Sequence, residues 1–377
     1  MSPSPRISCL TPAGTGAIAT LALRGPGAWL LLRELLQPAS NRPLTDSCPE
    51  AGIVIFGRLG QELADEVIVA VAQATSEPWL EIHCHGGLQV VNWLIELFVA
   101  RGAVWCEWPE LLRITEKRLE SLASEYLVRA ATLRTAAILL DQHQGAMRRA
   151  LEQIRQYLQA EDTSAAAQAI RSILKFADLR RHLVASWKVV VAGPPNAGKS
   201  SLVNALAGFR RSIVTPMPGT TRDAVSTFLA VDGWPIELID TAGIHGGATG
   251  LEREGIGLAR EQIATCDLCL WLMDVTALPI LPDAALSAIG VPCLTVANKI
   301  DQPAAWPVED LCAVSALKSQ GLTGLCQRLA QQLVPEAPAP GAAVPFCLEL
   351  SDALEAMNRA LADGKIATAL AMCNSWL

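Results

Sequence analysis

Gly193-Pro194-Pro195-Asn196-Ala197-Gly198-Lys199-Ser200 constrains what this chain can fold into more than any other stretch of it. The run satisfies G-x-x-x-x-G-K-[ST], and it stands where that pattern has physical meaning, between an apolar strand predicted over 188–192 and a helix predicted over 201–207. Gly193 and Gly198 let the backbone curl until its N–H groups converge on phosphate oxygens. The helix N-terminus adds partial positive charge at the same point. Lys199 is then placed to bridge the β- and γ-phosphates, and the Ser200 hydroxyl to ligate Mg²⁺. A strand feeding such a loop and helix commits the segment around it to an α/β layer with a mostly parallel sheet.

Four more elements follow in order. Thr215-Pro216-Met217-Pro218-Gly219-Thr220-Thr221-Arg222-Asp223 is a loop in which Thr221 can complete the Mg²⁺ shell. An apolar strand over 236–239 ends in Asp240-Thr241-Ala242-Gly243, where Asp240 can hold the metal through water and the Gly243 N–H can sense the γ-phosphate. A strand over 292–297 delivers Asn298-Lys299-Ile300-Asp301, and this element decides the base. The Asp301 carboxylate can accept from both N1–H and the exocyclic amine of guanine; adenine presents no such donor pair. A charged hydrogen bond is worth ~1.5–3 kcal/mol, and a carboxylate left unpaired adds to the discrimination. Ser315-Ala316-Leu317 can back the guanine O6. The expected GTP contacts are therefore Asn196, Ala197, Gly198, Lys199, Ser200, Ser201, Thr215, Gly219, Thr220, Thr221, Asp240, Thr241, Ala242, Gly243, Asn298, Lys299, Asp301, Ser315, Ala316 and Leu317. Ile244 follows Gly243 at a place where many small GTPases carry a water-orienting glutamine. An isoleucine cannot polarise water, so hydrolysis needs another group.

Around this core the texture changes twice. Residues 1–105 mix short strand-like runs with turn signals and one helical candidate over 88–100, which predicts a smaller α+β domain. Over 106–185 Pro and Gly nearly vanish and apolar residues recur at helical spacing, as in Leu119, Leu122, Ala123 and Tyr126. Residues 186–335 alternate strand and helix. A Pro/Ala/Gly linker over 335–345 then leads to a last helical stretch from about 351 to 376. The expected architecture is an α/β P-loop GTPase domain (186–335) inserted in a helical domain (106–185 and 336–377), preceded by the N-terminal α+β domain.

Composition removes several alternatives. The longest apolar runs, such as Cys269–Met273, are strand-sized, against the ~20 residues of a membrane span. The N-terminus shows no signal-peptide pattern, so a soluble cytoplasmic protein is expected. The net charge of −7 argues against non-specific nucleic-acid binding by the whole molecule. Eleven irregularly spaced cysteines make no disulfide framework. Cys266 and Cys269, the one C-x-x-C, enter an apolar strand and read as buried thiols rather than a zinc site. His83 and His85 alternate onto one strand face, with no third ligand in view.

The combination Pro-Asn-Ala-Gly-Lys-Ser, Gly-Thr-Thr-Arg-Asp, Asp-Thr-Ala-Gly-Ile and Asn-Lys-Ile-Asp, with an N-terminal module and flanking helices, resembles the MnmE (TrmE) family of tRNA-modification GTPases. Thr11–Ala28 follows that family's opening pattern, and His85-Gly86-Gly87 is similar to its H-G-G. The resemblance implies K⁺ in the role of an arginine finger, enclosed by Asn196, Thr215, Met217 and Thr220, and water orientation through Glu252, which with Lys199 makes the expected catalytic pair. It further implies a homodimer, a flavoprotein partner, action on the wobble uridine of tRNA, and one-carbon tetrahydrofolate in the N-terminal domain. The family's folate-site acid falls on Glu81, but its arginine falls on Ala22. The family's terminal F-C-I-G-K is absent: the sequence there reads Met372-Cys373-Asn374-Ser375-Trp376-Leu377, one residue out of register and without the lysine. The alternative expectation is a divergent GTPase without folate or modification chemistry, acting as a switch or scaffold on RNA or a protein partner.

Overall fold

The computed structural model describes residues 4–12, 14, 16–40, 43–115, 117–209, 226–241, 262–282, 290–309 and 311–377, and the side chains of all of these except 114 and 115. Met1–Lys117 and Arg118–Leu377 form two compact units.

The first unit is built on one sheet: β1 (Arg6–Cys9), β2 (Ile18–Arg24), β3 (Leu36–Pro38), β4 (Val54–Gly60), β5 (Ala64–Gln73), β6 (Trp79–His85) and β7 (Val104–Trp105), in the order β3-β4-β5-β6-β2-β1-β7. Strand alternation sends Leu21, Leu23, Val67, Val69, Leu80 and Ile82 to one side. There α1 (Ala28–Leu35) and α2 (Leu88–Val99) contribute Trp29, Leu32, Leu94 and Phe98 to the same core. On the other side, α3 (Trp108–Thr115) sets Leu111 against Ala22 and Cys106. Helix α3 also packs on β1. A boundary at residue 105, drawn from composition, therefore falls one helix early. The change of texture begins before α3, but the surface that buries Leu111 is the N-terminal sheet.

In the second unit, α4 (Arg118–Leu127), α5 (Leu133–His143), α6 (Ala146–Gln159), α7 (Thr163–Leu174) and α8 (Leu179–His182) precede an α/β segment. That segment holds β8 (Trp187–Ala192), α9 (Lys199–Phe209), β9 (Ser226–Val231), β10 (Trp234–Asp240), β11 (Leu268–Asp274), β12 (Cys293–Asn298), β13 (Cys312–Val314) and α10 (Leu322–Leu333). Helices α11 (Leu348–Ala362) and α12 (Ile366–Asn374) follow it, packing on α7 and α6 respectively. The helices on either side of the α/β segment thus join one bundle, as the inserted arrangement predicts. Caps fix the helix starts: the Thr132 side chain accepts from Thr135 N–H at the head of α5, and Asp162 Oδ1 accepts from Ala165 N–H at 2.9 Å at the head of α7. The stretch 335–345 is tied down rather than free. Gln142 Nε2 donates to Ala342 O at 3.0 Å, Val344 N–H donates to Gln142 Oε1 at 3.2 Å, and Gly341 N–H donates to Asp141 Oδ2 at 2.7 Å.

The sheet of the second unit runs β13-β12-β11-β8-β10-β9. Every pairing is parallel except β9 with β10, a hairpin turning at Asp232 and Gly233. Helix α5 begins against that turn: Thr132 Oγ1 donates to Gly233 O at 2.6 Å, and the Arg134 guanidinium lies 5.2 Å over the Trp234 ring. A continuous apolar core then runs from the bundle (Leu151, Ile154, Leu183) into the sheet (Leu229, Val231, Ile236) and on to α9 and α10 (Leu202, Leu325). Each such fully buried side chain contributes about 1.5–3 kcal/mol.

His182 sits at the junction of bundle and sheet, 3% exposed. It stacks on Trp187 with ring centroids 3.4 Å apart and accepts from Arg181 Nε at 2.9 Å. Burial pulls its pKa down from 6.5 to about 4, against the opposing pull of Asp267 and with the help of Arg181. Between those values the unfolded chain takes up a proton that the folded one refuses. The stability it contributes is therefore whole above about pH 6.5 and lost as pH falls toward 4, at most about 3 kcal/mol. His182→Gln is expected to remove most of that dependence, read as the wild-type minus variant difference in urea midpoint at pH 7 and pH 5. Parallel losses in the two proteins would contradict this.

Candidate nucleotide site

Strand order reverses beside β8: β10 lies on one side of it, and the chain crosses to place β11 on the other. Ligands of open α/β sheets bind outside the carboxyl ends of the strands at such a point. Here those ends are Ala192, Asp240, Asp274 and Asn298, the last two in register on adjacent strands.

The phosphate loop leaves β8 through Gly193, with φ 143°, and closes at Gly198, with φ 93°. Both need glycine for space as well as for backbone angle. A Cβ on Gly193 would lie 2.3 Å from Leu272 O, and one on Gly198 would lie 2.5 Å from Asn298 Nδ2. Asn196 takes a left-handed conformation between them, φ 62°. Lys199, the first residue of α9, folds back so that Nζ donates to Gly193 O and Pro194 O, each at 3.0 Å. Burial lowers its pKa, while Asp240 opposes the shift. An ammonium held by two carbonyls over the loop is poised to exchange them for phosphate oxygens. Ser200 stands exposed in the first turn of α9. The Thr241 hydroxyl donates to Val191 O at 2.9 Å, tying the end of β10 to β8.

Asn298, 2% exposed, joins the phosphate loop to the base-reading side. Its Nδ2 donates to Ala197 O at 2.8 Å and its Oδ1 accepts from Ala316 N–H at 3.0 Å. Ser315 Oγ donates to Asp301 Oδ1 at 2.5 Å, and Lys318 N–H donates to Ser315 Oγ at 3.1 Å. One cavity of about 190 Å³ is lined by Gly198, Ser201, Asn298, Lys299, Asp301, Gln302, Ala316 and Leu317. Residues more than a hundred positions apart thus converge on one space, with a carboxylate on its wall to meet paired N–H donors.

Two contributors were not picked out from the sequence. Asp274 Oδ2 accepts from Lys299 Nζ at 2.6 Å, while its Oδ1 accepts from Thr276 N–H at 2.9 Å and Thr276 Oγ at 2.7 Å. Burial works to raise the Asp274 pKa, but these hydrogen bonds outweigh it and hold the carboxyl below its ordinary value. The pairing fixes Lys299, itself at φ 70°. A charged residue closing an otherwise apolar strand, Leu268–Asp274, was the available signal. Gln302, beside Asp301, offered none.

Thr215, Met217, Gly219, Thr220, Thr221, Ala242, Gly243 and Glu252 lie outside the described residues. Among the described ones, Ser200 and Asp240 bring oxygen donors to the phosphate end, the donor chemistry that suits Mg²⁺.

The two positions of the folate expectation, Glu81 and Ala22, lie in the N-terminal sheet. Glu81 lies opposite Ala22 across β6 and β2, 4.0 Å from His83 Nε2. His83 Nδ1 lies 2.9 Å from Thr20 Oγ1, and His85 Nδ1 lies 2.6 Å from Asp65 Oδ1. Ala22 is fully buried against Cys106 and Leu111. A buried methyl group facing apolar neighbours does not fit the part of a folate-binding arginine.

The family model described as "GTP-binding protein TrmE N-terminus" matches residues 7–110, and that of a "50S ribosome-binding GTPase" matches 188–299. Among curated relatives, the tRNA modification GTPase MnmE of Synechococcus sp. strain RCC307 is 31% identical over 365 residues, covering 86% of this chain and 79% of the relative. The Moorella thermoacetica protein of the same name is 31% identical, covering 86% of this chain and 80% of the relative. That of Synechococcus sp. strain CC9311 is 32% identical, covering 86% and 78%. With both units matched in order and the nucleotide loops meeting at one cavity, the chain belongs to the tRNA modification GTPase MnmE family.

Proposed function

We propose that this protein binds GTP with Mg²⁺, hydrolyses it to GDP and phosphate, and does so in the modification of the tRNA wobble uridine. The observation that carries the reading is the shared cavity of Gly198, Ser201, Asn298, Asp301, Ala316 and Leu317. Guanine enters against Asp301, which accepts from N1–H and the exocyclic amine, while the Ala316 and Leu317 backbone backs O6. The triphosphate runs along 196–201, with Lys199 leaving the Gly193 and Pro194 carbonyls for the β- and γ-phosphates. Ser200 and Thr221 hold Mg²⁺, with Asp240 acting through water.

Hydrolysis is proposed to depend on K⁺. Ile244 stands in the glutamine position and supplies no water-orienting group. Asn196, Thr215, Met217 and Thr220 would enclose the cation, and Glu252 would orient the attacking water through a bridge. Phosphate release by the full chain is expected to run at least tenfold faster in KCl than in NaCl, and Glu252→Ala to lower it by about 10²-fold, the lower end of the range for a positioned acid–base group. Equal rates in the two salts would remove the potassium mechanism.

For the pathway, the protein is proposed to act as a homodimer with a flavoprotein partner on tRNA. The buried Ala22 favours a second reading, in which the N-terminal unit no longer holds a one-carbon folate and the GTPase serves as a switch or scaffold on RNA or a protein partner. Wobble-uridine modification in tRNA from cells with and without this gene separates the two. Unmodified uridine on deletion supports the first, and unchanged modification supports the second.

A further inference from the structure

The C-x-x-C of the sequence is not the pair that the fold assembles. Cys266 turns its thiol to Ile263 O at 3.2 Å. Cys269 instead stands directly opposite Cys293, in register on the parallel strands β11 and β12, and residues paired in register project from the same face of a sheet. Cys269 N–H donates to Pro292 O at 2.9 Å, which locks the two strand starts together. The two thiols differ in surroundings. Cys269 is 5% exposed, in a small core with Val190, Ala192, Ile239, Ile263 and Cys266, whereas Cys293 is open to solvent. Neighbouring strands lie ~4.8 Å apart, inside the ~4.4–6.8 Å Cα separation that a disulfide spans. No other two cysteines among the described residues face each other in strand register.

We propose that Cys269 and Cys293 form an oxidisable dithiol that hydroperoxides convert to a disulfide. The Cys293 thiolate attacks one peroxide oxygen, breaking the O–O bond to give a sulfenic acid and, with hydrogen peroxide, one water. The Cys269 thiol then attacks the sulfenic sulfur, forming the S–S bond and expelling a second water, so that two thiols are oxidised and one peroxide is reduced to two waters. The asymmetry suits the order of the steps. A hydrogen bond from Cys269 brings the Cys293 thiol down to about 7 against the opposing effect of burial, with help from the Trp271 backbone. The buried Cys269 is raised and serves as the resolving partner.

The test uses the full chain and hydrogen peroxide at low stoichiometry. Peptide mapping without reduction is expected to show the Cys269 peptide joined to the Cys293 peptide at a mass 2 Da below the sum of the thiols, reversed by dithiothreitol. With iodoacetamide at pH 7, Cys293 is expected to alkylate about tenfold faster than Cys48, and Cys269→Ala to slow it severalfold by removing the donor. Four results overturn the proposal: Cys293 oxidised to sulfinic acid with Cys269 still a thiol, Cys293 joined to Cys266, both thiols unchanged, or alkylation of Cys293 indifferent to Cys269→Ala. The wild-type map needs no variant and stands if Cys269→Ala does not fold.

Discussion

Lys199→Ala is expected to lower GTP turnover by about 10²–10³-fold, read as phosphate release by the full chain at saturating nucleotide. The ammonium is the one cation on the phosphate loop among the described residues. Removing a single preorganised group that stabilises developing charge costs about 3–4 kcal/mol of barrier. The variant should still fold. Losing Nζ removes two hydrogen bonds to loop carbonyls at 3.0 Å, but Gly193 and Pro194 sit at the mouth of the site and water can replace the donor. Far-UV circular dichroism and the urea midpoint should change little. Turnover within tenfold of wild type would mean that the loop does not hold the transferred phosphate.

Asp301→Asn is expected to weaken GTP binding by on the order of 10²-fold and to give xanthosine triphosphate the advantage. The carboxylate accepts two hydrogen bonds from guanine, each worth ~1.5–3 kcal/mol with a charged acceptor. An asparagine keeps one acceptor for N1–H and offers an N–H where the guanine amine also presents one, so donor meets donor. Xanthine carries a carbonyl at that place and restores the match. Ser315 Oγ, 2.5 Å from Asp301 Oδ1, fixes the plane of the group. Ser315→Ala should accordingly cost GTP affinity a smaller factor, about tenfold, without creating a preference for xanthine. Competition of unlabelled nucleotides against a fluorescent GTP analogue measures both. A variant that still prefers GTP over xanthosine triphosphate would show that Asp301 does not read the base.

The phosphate loop and the Asn298-Lys299-Ile300-Asp301 element were legible because their chemistry is contiguous. A loop that must curl around phosphate needs glycines and a lysine at fixed offsets, and the residues carry that signature wherever the chain goes. What escaped was chemistry assembled across strands. Asp274 holds Lys299 from the end of a different strand, and only the register of β11 with β12 brings the two together. The same register pairs Cys269 with Cys293 in preference to Cys266, its nearer neighbour in sequence. The boundary at residue 105 missed because helix propensity says that α3 is helical, not which surface buries Leu111. Residues 335–345 read as a linker from their Pro, Ala and Gly, yet Gln142 and Asp141, about two hundred residues earlier, take up their backbone groups. Local patterns fixed the elements and the nucleotide chemistry; the supporting contacts came from topology.

Equilibrium displacement of a fluorescent GTP analogue from the purified full chain, by GTP and by ATP in Mg²⁺ buffer, tests the central claim most directly. GTP is expected to compete at least 100-fold more strongly than ATP, because adenine leaves the Asp301 carboxylate without its two donors. Equal displacement by the two nucleotides, or failure of the analogue to bind at all, would contradict the account.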